Sequence, residues 1–176
     1  VVEDISIFSP DAVGIDLGNT SIARNCMVEL SGSTGISAGV TCQIVDCSVV
    51  NIGGAGILTS NNCTLSNCTA FVTGLTGMSV GNGSIVTGCT VAQSSGSGFS
   101  IGAQSTVRNS AARENTGTGI SVGTGSAVAD CTAESNLGSA GISAGFGCTI
   151  SGCVARANTS SSNISSGITV SGESTV

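Results

Sequence analysis

One glycine recurs along this chain at a nearly constant interval. When the sequence is written in lines that open at these glycines, the interval is 21 residues five times, then 22 and then 26. The opening residues are Gly14, Gly35, Gly56, Gly77, Gly98, Gly119, Gly141 and Gly167. An interval of about 20 to 50 residues indicates a repeat architecture in which each line is one structural unit. Positions within a unit are numbered below from its opening glycine.

Apolar and small polar residues alternate within each line. Position 3 is mostly serine, and position 4 is mostly apolar. Position 2 is apolar in every line: Ile15, Ile36, Ile57, Met78, Phe99, Ile120, Ile142 and Ile168. The alternation returns at positions 8 and 10 and at positions 13 and 15, and this period is typical of a strand with one buried face. Each line therefore predicts three short strands.

Turn-forming residues separate these strands. Position 12 is always Asn, Asp or Gly, the residue types that tolerate the left-handed backbone of a sharp corner. Such a unit cannot bury its apolar face alone and has to stack on the next. We therefore predict an all-β fold, a parallel β-solenoid with about 21 residues per coil, three short strands per coil and about 8 coils. Stacked strands at about 4.8 Å make this a rod of about 35 Å.

The repeat resembles that of a known family. Segments such as GISVGTGSAVADCTA and GISAGFGCTISGCVA are similar to the right-handed parallel β-helix repeat of pectin-lyase-like proteins. The resemblance covers almost the whole chain and implies one β-helical segment over residues 1–176. Many members of that family cut or epimerise acidic polysaccharides. The family often carries an inward asparagine ladder at position 13, which cysteine replaces here.

The nine cysteines fall in two positions of the repeat. Position 13, where Ser110 fills the remaining line, carries a predicted structural thiol ladder: Cys26, Cys47, Cys68, Cys89, Cys131 and Cys153. Position 8, where serine fills the other lines, carries a second thiol column: Cys42, Cys63 and Cys148. Both positions are predicted to face the core. We interpret these residues as buried free thiols that behave as small hydrophobic side chains.

Two other interpretations of the cysteines stay open. Disulfides within one coil would have to span too great a distance, whereas stacked coils place Cα atoms about 4.8 Å apart and need only local tilting. A tetrahedral zinc site needs four thiolates around one point, which two separate columns do not offer. No metal site and no cofactor are therefore predicted.

Charged residues form one notable alignment. Position 16 brings Arg113, Glu134 and Arg156 into line, which predicts a surface charge ladder of about 0.2 to 1 kcal/mol per pair. A glycoside hydrolase needs two carboxylates about 5 to 10 Å apart. Asp46 and Asp130 share position 12 but lie four coils apart, so they do not form such a pair. No catalytic residue is predicted.

Composition excludes two classes of partner. The net charge is -6 with only four cationic residues, and aromatic residues make up 2% of the chain, which argues against nucleic acid. No apolar run approaches the roughly 18 residues of a membrane helix, so membrane insertion is not expected. The Ser-, Thr-, Gly- and Asn-rich composition, with sequons at Asn19, Asn82, Asn158 and Asn163, favours an extracellular or cell-surface protein.

These observations lead to one functional prediction and one alternative. We predict a non-catalytic structural or adhesive rod of a secreted or cell-surface protein, with a polysaccharide or another copy of itself as its partner. The alternative is a fragment of a polysaccharide-active lyase, epimerase or hydrolase, or a glycan-binding β-helix, whose active residues lie outside this segment. Because the chain begins and ends inside a coil, we expect an excerpt of a longer solenoid or copies that stack head to tail as a filament.

The first full line departs from the pattern at one residue. Ile22 lies at position 9, whereas the later lines place an aliphatic residue at position 10. A shift of one residue turns a side chain to the opposite face of a strand. The sequence therefore predicts a bulge or a one-residue slip between Gly18 and Asn25.

Overall fold

The computed structural model describes residues 1–8, 11–160 and 166–176, and this part of the chain contains β-strands and turns but no helix. Because the repeat alternates inward apolar and outward polar side chains, each strand is short and is followed by a corner. In chain order the strands are β1 (Val2–Glu3), β2 (Ser6–Phe8), β3 (Ile15–Leu17), β4 (Ile22–Arg24), β5 (Met27–Glu29), β6 (Ile36–Ala38), β7 (Gln43–Val45), β8 (Ser48–Ile52), β9 (Ile57–Thr59), β10 (Thr64–Ser66), β11 (Thr69–Thr73), β12 (Met78–Val80), β13 (Ile85–Thr87), β14 (Thr90–Ser94), β15 (Phe99–Ile101), β16 (Thr106–Arg108), β17 (Ala111–Arg113), β18 (Ile120–Val122), β19 (Ala127–Ala129), β20 (Thr132–Glu134), β21 (Ala140–Ala144), β22 (Thr149–Ser151), β23 (Val154–Arg156) and β24 (Ser166–Val170).

The strands form three parallel sheets of eight strands each within the described residues. The first sheet holds positions 2–4 and runs from β3 through β6, β9, β12, β15, β18 and β21 to β24. The second sheet holds positions 9–11 and runs from β1 through β4, β7, β10, β13, β16 and β19 to β22. The third sheet holds positions 14–16 and runs from β2 through β5, β8, β11, β14, β17 and β20 to β23. The predicted β-solenoid with three strands per coil is confirmed.

Residues of equal position pair across neighbouring coils. Ile15 pairs with Ile36 at position 2, and Leu65 pairs with Val86 at position 10. The inward positions stack into one continuous core, in which the largest fully buried side chain is Phe99. A sequence interval of 21 residues is therefore one turn of the solenoid.

The predicted irregularity near Ile22 is wrong. The strand β4 is regular, with Ile22 paired to Gln43 and Ala23 paired to Ile44. Ala23 fills the inward position and is fully buried, whereas Ile22 lies on the outer face and is half-buried. A small alanine supplies the apolar residue that this coil needs, so neither a bulge nor a slip occurs.

The strands are joined by corners that repeat the same backbone conformation. A residue with positive φ stands at position 7, 12 or 17 and is followed by an inward-facing residue at position 8, 13 or 18. We call these the first, second and third corners. Asn and Asp suit the second corner because their side chains tolerate this conformation, as at Asn25 (φ 48°) and Asp46 (φ 52°). Each corner therefore places one side chain inside the rod at a fixed height.

Candidate functional site

The inward residues of the first corner form an unbroken hydrogen-bonded column at position 8. The backbone N–H of each member donates to the side chain of the same position one coil later, from Ser21 to the Sγ of Cys42 (3.4 Å) and onward to the Oγ of Ser174. The thiol of Cys42 in turn donates to the carbonyl of Gly18 at 3.1 Å. The members are Ser21, Cys42, Cys63, Ser84, Ser105, Ser126, Cys148 and Ser174. Serine and cysteine are interchangeable at this position, because each side chain has one hydrogen-bond donor and can also accept a hydrogen bond.

The second corner holds the six position-13 thiols, and part of this column shows the same hydrogen-bond pattern. Cys68 N–H donates to the Sγ of Cys89 at 3.4 Å, and Cys89 N–H donates to the Oγ of Ser110 at 3.2 Å. The thiol of Cys47 donates to the carbonyl of Val45 at 3.2 Å. All nine cysteines of the chain are free thiols, and all except the half-buried Cys153 are buried. They are hydrogen-bonding corner residues as well as small hydrophobic side chains, because the inward N–H groups of a corner need an acceptor.

Burial makes these thiols hard to ionise. Burial raises the pKa of Cys47 from 9.0 to about 12 and that of Cys131 to about 11, because the thiolate loses its hydration inside the rod. The interaction between the adjacent side chains of Cys68 and Cys89 raises the pKa of Cys68 and lowers that of Cys89. Since the thiolate is the nucleophilic form of cysteine, the raised pKa values make Cys47, Cys68 and Cys131 poor nucleophiles in the intact rod.

The third corner contains an asparagine ladder that the sequence analysis missed. Asn115 and Asn136 are fully buried, and Asn115 Nδ2 donates to Asn136 Oδ1 at 2.8 Å. Asn136 Nδ2 donates to Asn158 Oδ1 at 2.9 Å and to the carbonyl of Ala112 at 3.1 Å. The backbone N–H groups of Ser94, Asn115 and Asn136 donate to the amide oxygen of the next coil. The three asparagines share position 18, and reading that column would have found them.

Three of the opening glycines, Gly98, Gly119 and Gly141, pack against this ladder. A Cβ atom at Gly119 would lie 2.6 Å from Asn136 Nδ2 and 2.6 Å from the carbonyl oxygen of Gly141. Contacts of this length leave no room for a methyl group. The recurrent glycine that defines the sequence repeat is therefore a packing requirement, since in the earlier coils too a Cβ atom at Gly35 or Gly56 would lie 2.6 or 2.5 Å from the carbonyl oxygen of the next opening glycine.

The charged residues of position 16 stack in register, and one ion pair joins them. Arg113 pairs with Glu134 and Glu134 with Arg156 across the third sheet. Arg156 Nε lies 2.9 Å from Glu134 Oε1, and this contact is the main cause of the lowered pKa of Glu134. Arg113 makes no ion pair in the described part of the chain, but its charge also lowers that pKa. A second ion pair, which was not predicted, joins Arg24 and Glu3 at 3.3 Å.

A shallow depression of about 360 Å³ lies at the second corner of the first coils. Asp4 and Asp46 border it on either side of Asn25, whose Nδ2 donates to Asp4 Oδ1 at 2.6 Å. The described residues contain no group of three or more His, Cys, Asp or Glu side chains that is arranged to hold a metal ion. They also contain no helix of the length and apolarity that a membrane span requires.

The predicted glycosylation sequons differ in their surroundings. Asn19 Oδ1 accepts from Val40 N–H at 3.0 Å and Asn82 Oδ1 accepts from Ala103 N–H at 2.8 Å, both at the exposed first corner. Asn158 belongs to the asparagine ladder, and its Nδ2 donates to the carbonyl of Ala133. Asn163 lies outside the described residues.

The repeat matches a known family of sequences. A family model described as "Right handed beta helix region" matches residues 59–176. The chain belongs to this right-handed β-helix family. The match agrees with the predicted handedness and with the coils described above. No curated protein matches the sequence.

Solved structures share the β-helix at low sequence identity. The A-module of the mannuronan C-5 epimerase AlgE4 of Azotobacter vinelandii superposes with a TM-score of 0.72 at 10% identity, covering 99% of this chain and 57% of that one. The periplasmic alginate epimerase AlgG gives 0.65 at 14% identity, covering 93% and 47%. The pectate lyase Pel9A gives 0.57 at 16% identity, covering 92% and 55%. The chain thus spans about half the length of these enzymes, and the likeness lies in the fold.

Proposed function

We propose that this segment is a non-catalytic structural rod of a secreted or cell-surface protein. The observation that carries the proposal is the outer surface of the central coils. Residues 30–107 contain a single charged residue, Asp46. The outward positions of the first sheet are mostly serine there, with Ser37, Ser79 and Ser100 in register. Such a surface holds few groups that could ionise, polarise or position a substrate.

The arginines of the chain also support a structural role. Two of the four cationic residues, Arg24 and Arg156, are neutralised by ion pairs with glutamates one coil away. An acidic polysaccharide carries a negative charge on every uronate unit, and a cleft that binds it needs several unpaired cations. The net charge of -6 disfavours binding of such a chain, and the central coils supply no cation that would attract it. A neutral glycan fits the hydroxyl-rich surface better than a polyuronate does.

The internal construction favours a spacer as well. The two corner columns and the asparagine ladder tie neighbouring coils by side-chain hydrogen bonds in addition to the backbone ladder. Such ties favour a rigid element whose length is set by the number of coils. Rigidity of this kind suits a protein that holds other domains away from a surface.

The test is an assay for polysaccharide turnover and binding. The purified segment is incubated with alginate, pectin and a neutral glucan, with and without calcium, and unsaturated products and new reducing ends are measured. We expect none above a heat-denatured control. Release of unsaturated uronates from alginate or pectin would overturn the proposal.

A second candidate function is part of a polysaccharide-active enzyme. It is favoured by the superposition of nearly the whole chain on about half of an alginate epimerase module. In that case the catalytic groups would lie in coils or loops beyond these residues. An active full-length protein whose activity survives Glu134→Gln and Arg113→Ala would support this candidate and leave the present segment as its scaffold.

A further inference from the structure

The cysteines stand next to one another in space more regularly than packing alone requires. Position 13 carries a run of four consecutive cysteines, a serine at Ser110, and then a run of two. Position 8 carries a run of two, while Cys148 stands between Ser126 and Ser174. Eight of the nine cysteines therefore have another cysteine at the same position of a neighbouring coil. Every run that has more than one member contains an even number.

The geometry of these stacked positions is close to that of a disulfide. In-register parallel strands hold equivalent Cα atoms about 4.8 Å apart, within the span of about 4.4 to 6.8 Å that disulfides bridge. The sulfur of the later coil already leans toward the earlier one: Cys89 Sγ lies 3.4 Å from Cys68 N, and Cys63 Sγ lies 3.3 Å from Cys42 N. In-register Cβ atoms are also about 4.8 Å apart, so a local tilt that brings them to within about 4.5 Å, together with a χ1 rotation of the earlier thiol, would join the sulfurs.

We propose that stacked cysteines of neighbouring coils are sites of oxidative cross-linking, and that a small-molecule disulfide encountered during folding converts them into four disulfides. The pairs are Cys26 with Cys47, Cys68 with Cys89, Cys131 with Cys153, and Cys42 with Cys63. Cys148 stays a thiol because serines lie above and below it. This pairing follows from the register of the coils together with complete pairing of the four-cysteine run, since a Cys47–Cys68 link would leave Cys26 and Cys89 without partners. It does not rest on the proposed rod function.

The chemistry is two successive thiol–disulfide exchanges. The thiolate of one cysteine attacks the small disulfide, forms a mixed disulfide and releases one small thiol. The thiolate of the stacked cysteine then attacks the protein sulfur of that bond, forms the inter-coil disulfide and releases the second small thiol. Each protein pair loses two protons and two electrons, and the small disulfide is reduced to two thiols.

Reaction has to occur before the core closes. Cys26, Cys47, Cys68 and Cys89 are all 2% exposed or less in the folded rod, so a small disulfide cannot reach them there. The folding chain exposes the same thiols while neighbouring coils are docking. The oxidation state reached during folding is then retained by burial, and the disulfides become links that hold each coil to the next.

The experiment is refolding of the reduced, unfolded chain in the presence of oxidised glutathione or of a reductant. We expect the number of titratable thiols under denaturing conditions to fall from nine to one with the oxidant and to stay at nine with the reductant. Non-reducing peptide mapping after broad-specificity proteolysis then identifies the four predicted links. Nine free thiols in the oxidised, folded protein would overturn the proposal, as would links that join position 8 to position 13.

A matched pair of variants tests the role of the stacked neighbour. The Ser126→Cys variant gives Cys148 an in-register partner, because Ser126 N–H donates to Cys148 Sγ at 3.4 Å. We expect this variant to lose its last free thiol by forming a fifth disulfide. The Ser105→Cys variant places a cysteine in the same column between Ser84 and Ser126, and we expect it to retain two free thiols. Equal thiol counts in the two variants would contradict the mechanism.

Discussion

The second and third corners of the rod use different side chains to accept hydrogen bonds from inward backbone N–H groups. Each corner turns the backbone inward and leaves an N–H group inside the rod, where it needs an acceptor. At the second corner the acceptor is usually a sulfur, with an N to S distance of 3.4 Å between Cys68 and Cys89. At the third corner of the later coils it is an amide oxygen, at 2.9 Å between Ser94 and Asn115.

The difference between these corners lies in how many bonds each side chain makes. A thiol has one weak donor, which it gives to a backbone carbonyl of the second sheet. An asparagine has two donors and links directly to the asparagine of the next coil. Asn136 uses its amide for contacts with Asn115, Asn158 and the carbonyl of Ala112. Serine can therefore replace a thiol of the second corner and keep its hydrogen bonds, whereas serine in place of an asparagine of the ladder would lose the direct link to the next coil.

Alkaline pH should separate the two corners most strongly, because only the thiols ionise. The folded pKa of Cys47 is about 12 against 9.0 for an ordinary thiol, so the stability present below pH 9 is lost as the pH rises toward 12. The loss from this one thiol reaches about 3 kcal/mol at pH 11 and at most about 4 kcal/mol at pH 12. The measurement is the urea midpoint from pH 8 to 11 under reducing conditions. The Cys47→Ser variant should show a flatter curve, and parallel curves would contradict the assignment.

Removal of a central asparagine should be the next largest effect. In Asn136→Ala the N–H groups of Asn115 and the carbonyl of Ala112 lose their partner inside the core. We expect the free energy of unfolding to fall by about 3 kcal/mol, because buried groups are left unsatisfied. Chemical denaturation measures it, with Ser121→Ala on the outer face of the first sheet as the control. A change as small as that of the control would mean that the ladder is not stabilising.

The thiol corner should distinguish alanine from serine. Cys89→Ala removes the acceptor for the Cys68 N–H, and we expect a loss of about 2 kcal/mol. Cys89→Ser retains a donor and an acceptor, as Ser110 does in the next coil, and should lose no more than about 1 kcal/mol. Denaturation of both reduced variants under identical conditions gives the comparison. Equal losses would show that the cysteines contribute by packing alone.

The asparagine ladder should be extendable by one coil. Ser94 lies directly below Asn115 at position 18, and its buried Oγ has no hydrogen-bond partner. In Ser94→Asn the new amide should donate to Asn115 Oδ1, and we expect a gain of about 1 kcal/mol. Gly77 faces Ser94 as Gly98 faces Asn115, so the required space is present. A loss of stability in thermal and urea unfolding would limit the ladder to the later coils.

The surface charge ladder should contribute least to the stability of the rod. The ion pair with Arg156 lowers the pKa of Glu134, so its contribution is present above the unfolded pKa of about 4.5 and is lost as the pH falls through the folded value. Glu134→Gln should shift the urea midpoint at pH 7 by less than any corner variant does, and this shift should shrink as the pH falls below 4.5. Because both side chains are exposed, added salt should reduce the difference. A larger effect than that of Cys89→Ser would reverse this ranking.

The fold could be predicted from the sequence because the repeat positions with the clearest apolar pattern are also the positions that pack in the core. The register of Ile57, Met78 and Phe99 at position 2 is visible as a periodicity and is reproduced by the strand pairing. The prediction for Ile22 failed because isoleucine is more hydrophobic than Ala23 and is favoured as the inward residue. A small buried residue such as alanine is hard to recognise in a hydrophobic pattern. The resemblance to pectin-lyase-like proteins agreed with the structure because it depends on the same periodic apolar positions.

The candidate site was harder to predict, since hydrogen bonds at corners depend on side-chain direction. The thiol columns were visible in the sequence, but their role as acceptors was not, because cysteine also suits an apolar core. The asparagine ladder was missed because position 18 holds Ser31, Ile52, Thr73 and Ser94 in the earlier coils. A column that changes its residue type halfway along the chain has no single signature.

The three corners also determine where a coil can change in length. Positions 1 to 18 are fixed, because each inward corner residue has to meet its equivalent one coil away. Only the segment between position 18 and the next opening glycine varies: it is three residues long in the early coils, four between Asn136 and Gly141, and eight between Asn158 and Gly167. Loops can therefore be lengthened, or domains inserted, at one edge of the rod beside the first sheet. The interior residues keep their register when this edge changes.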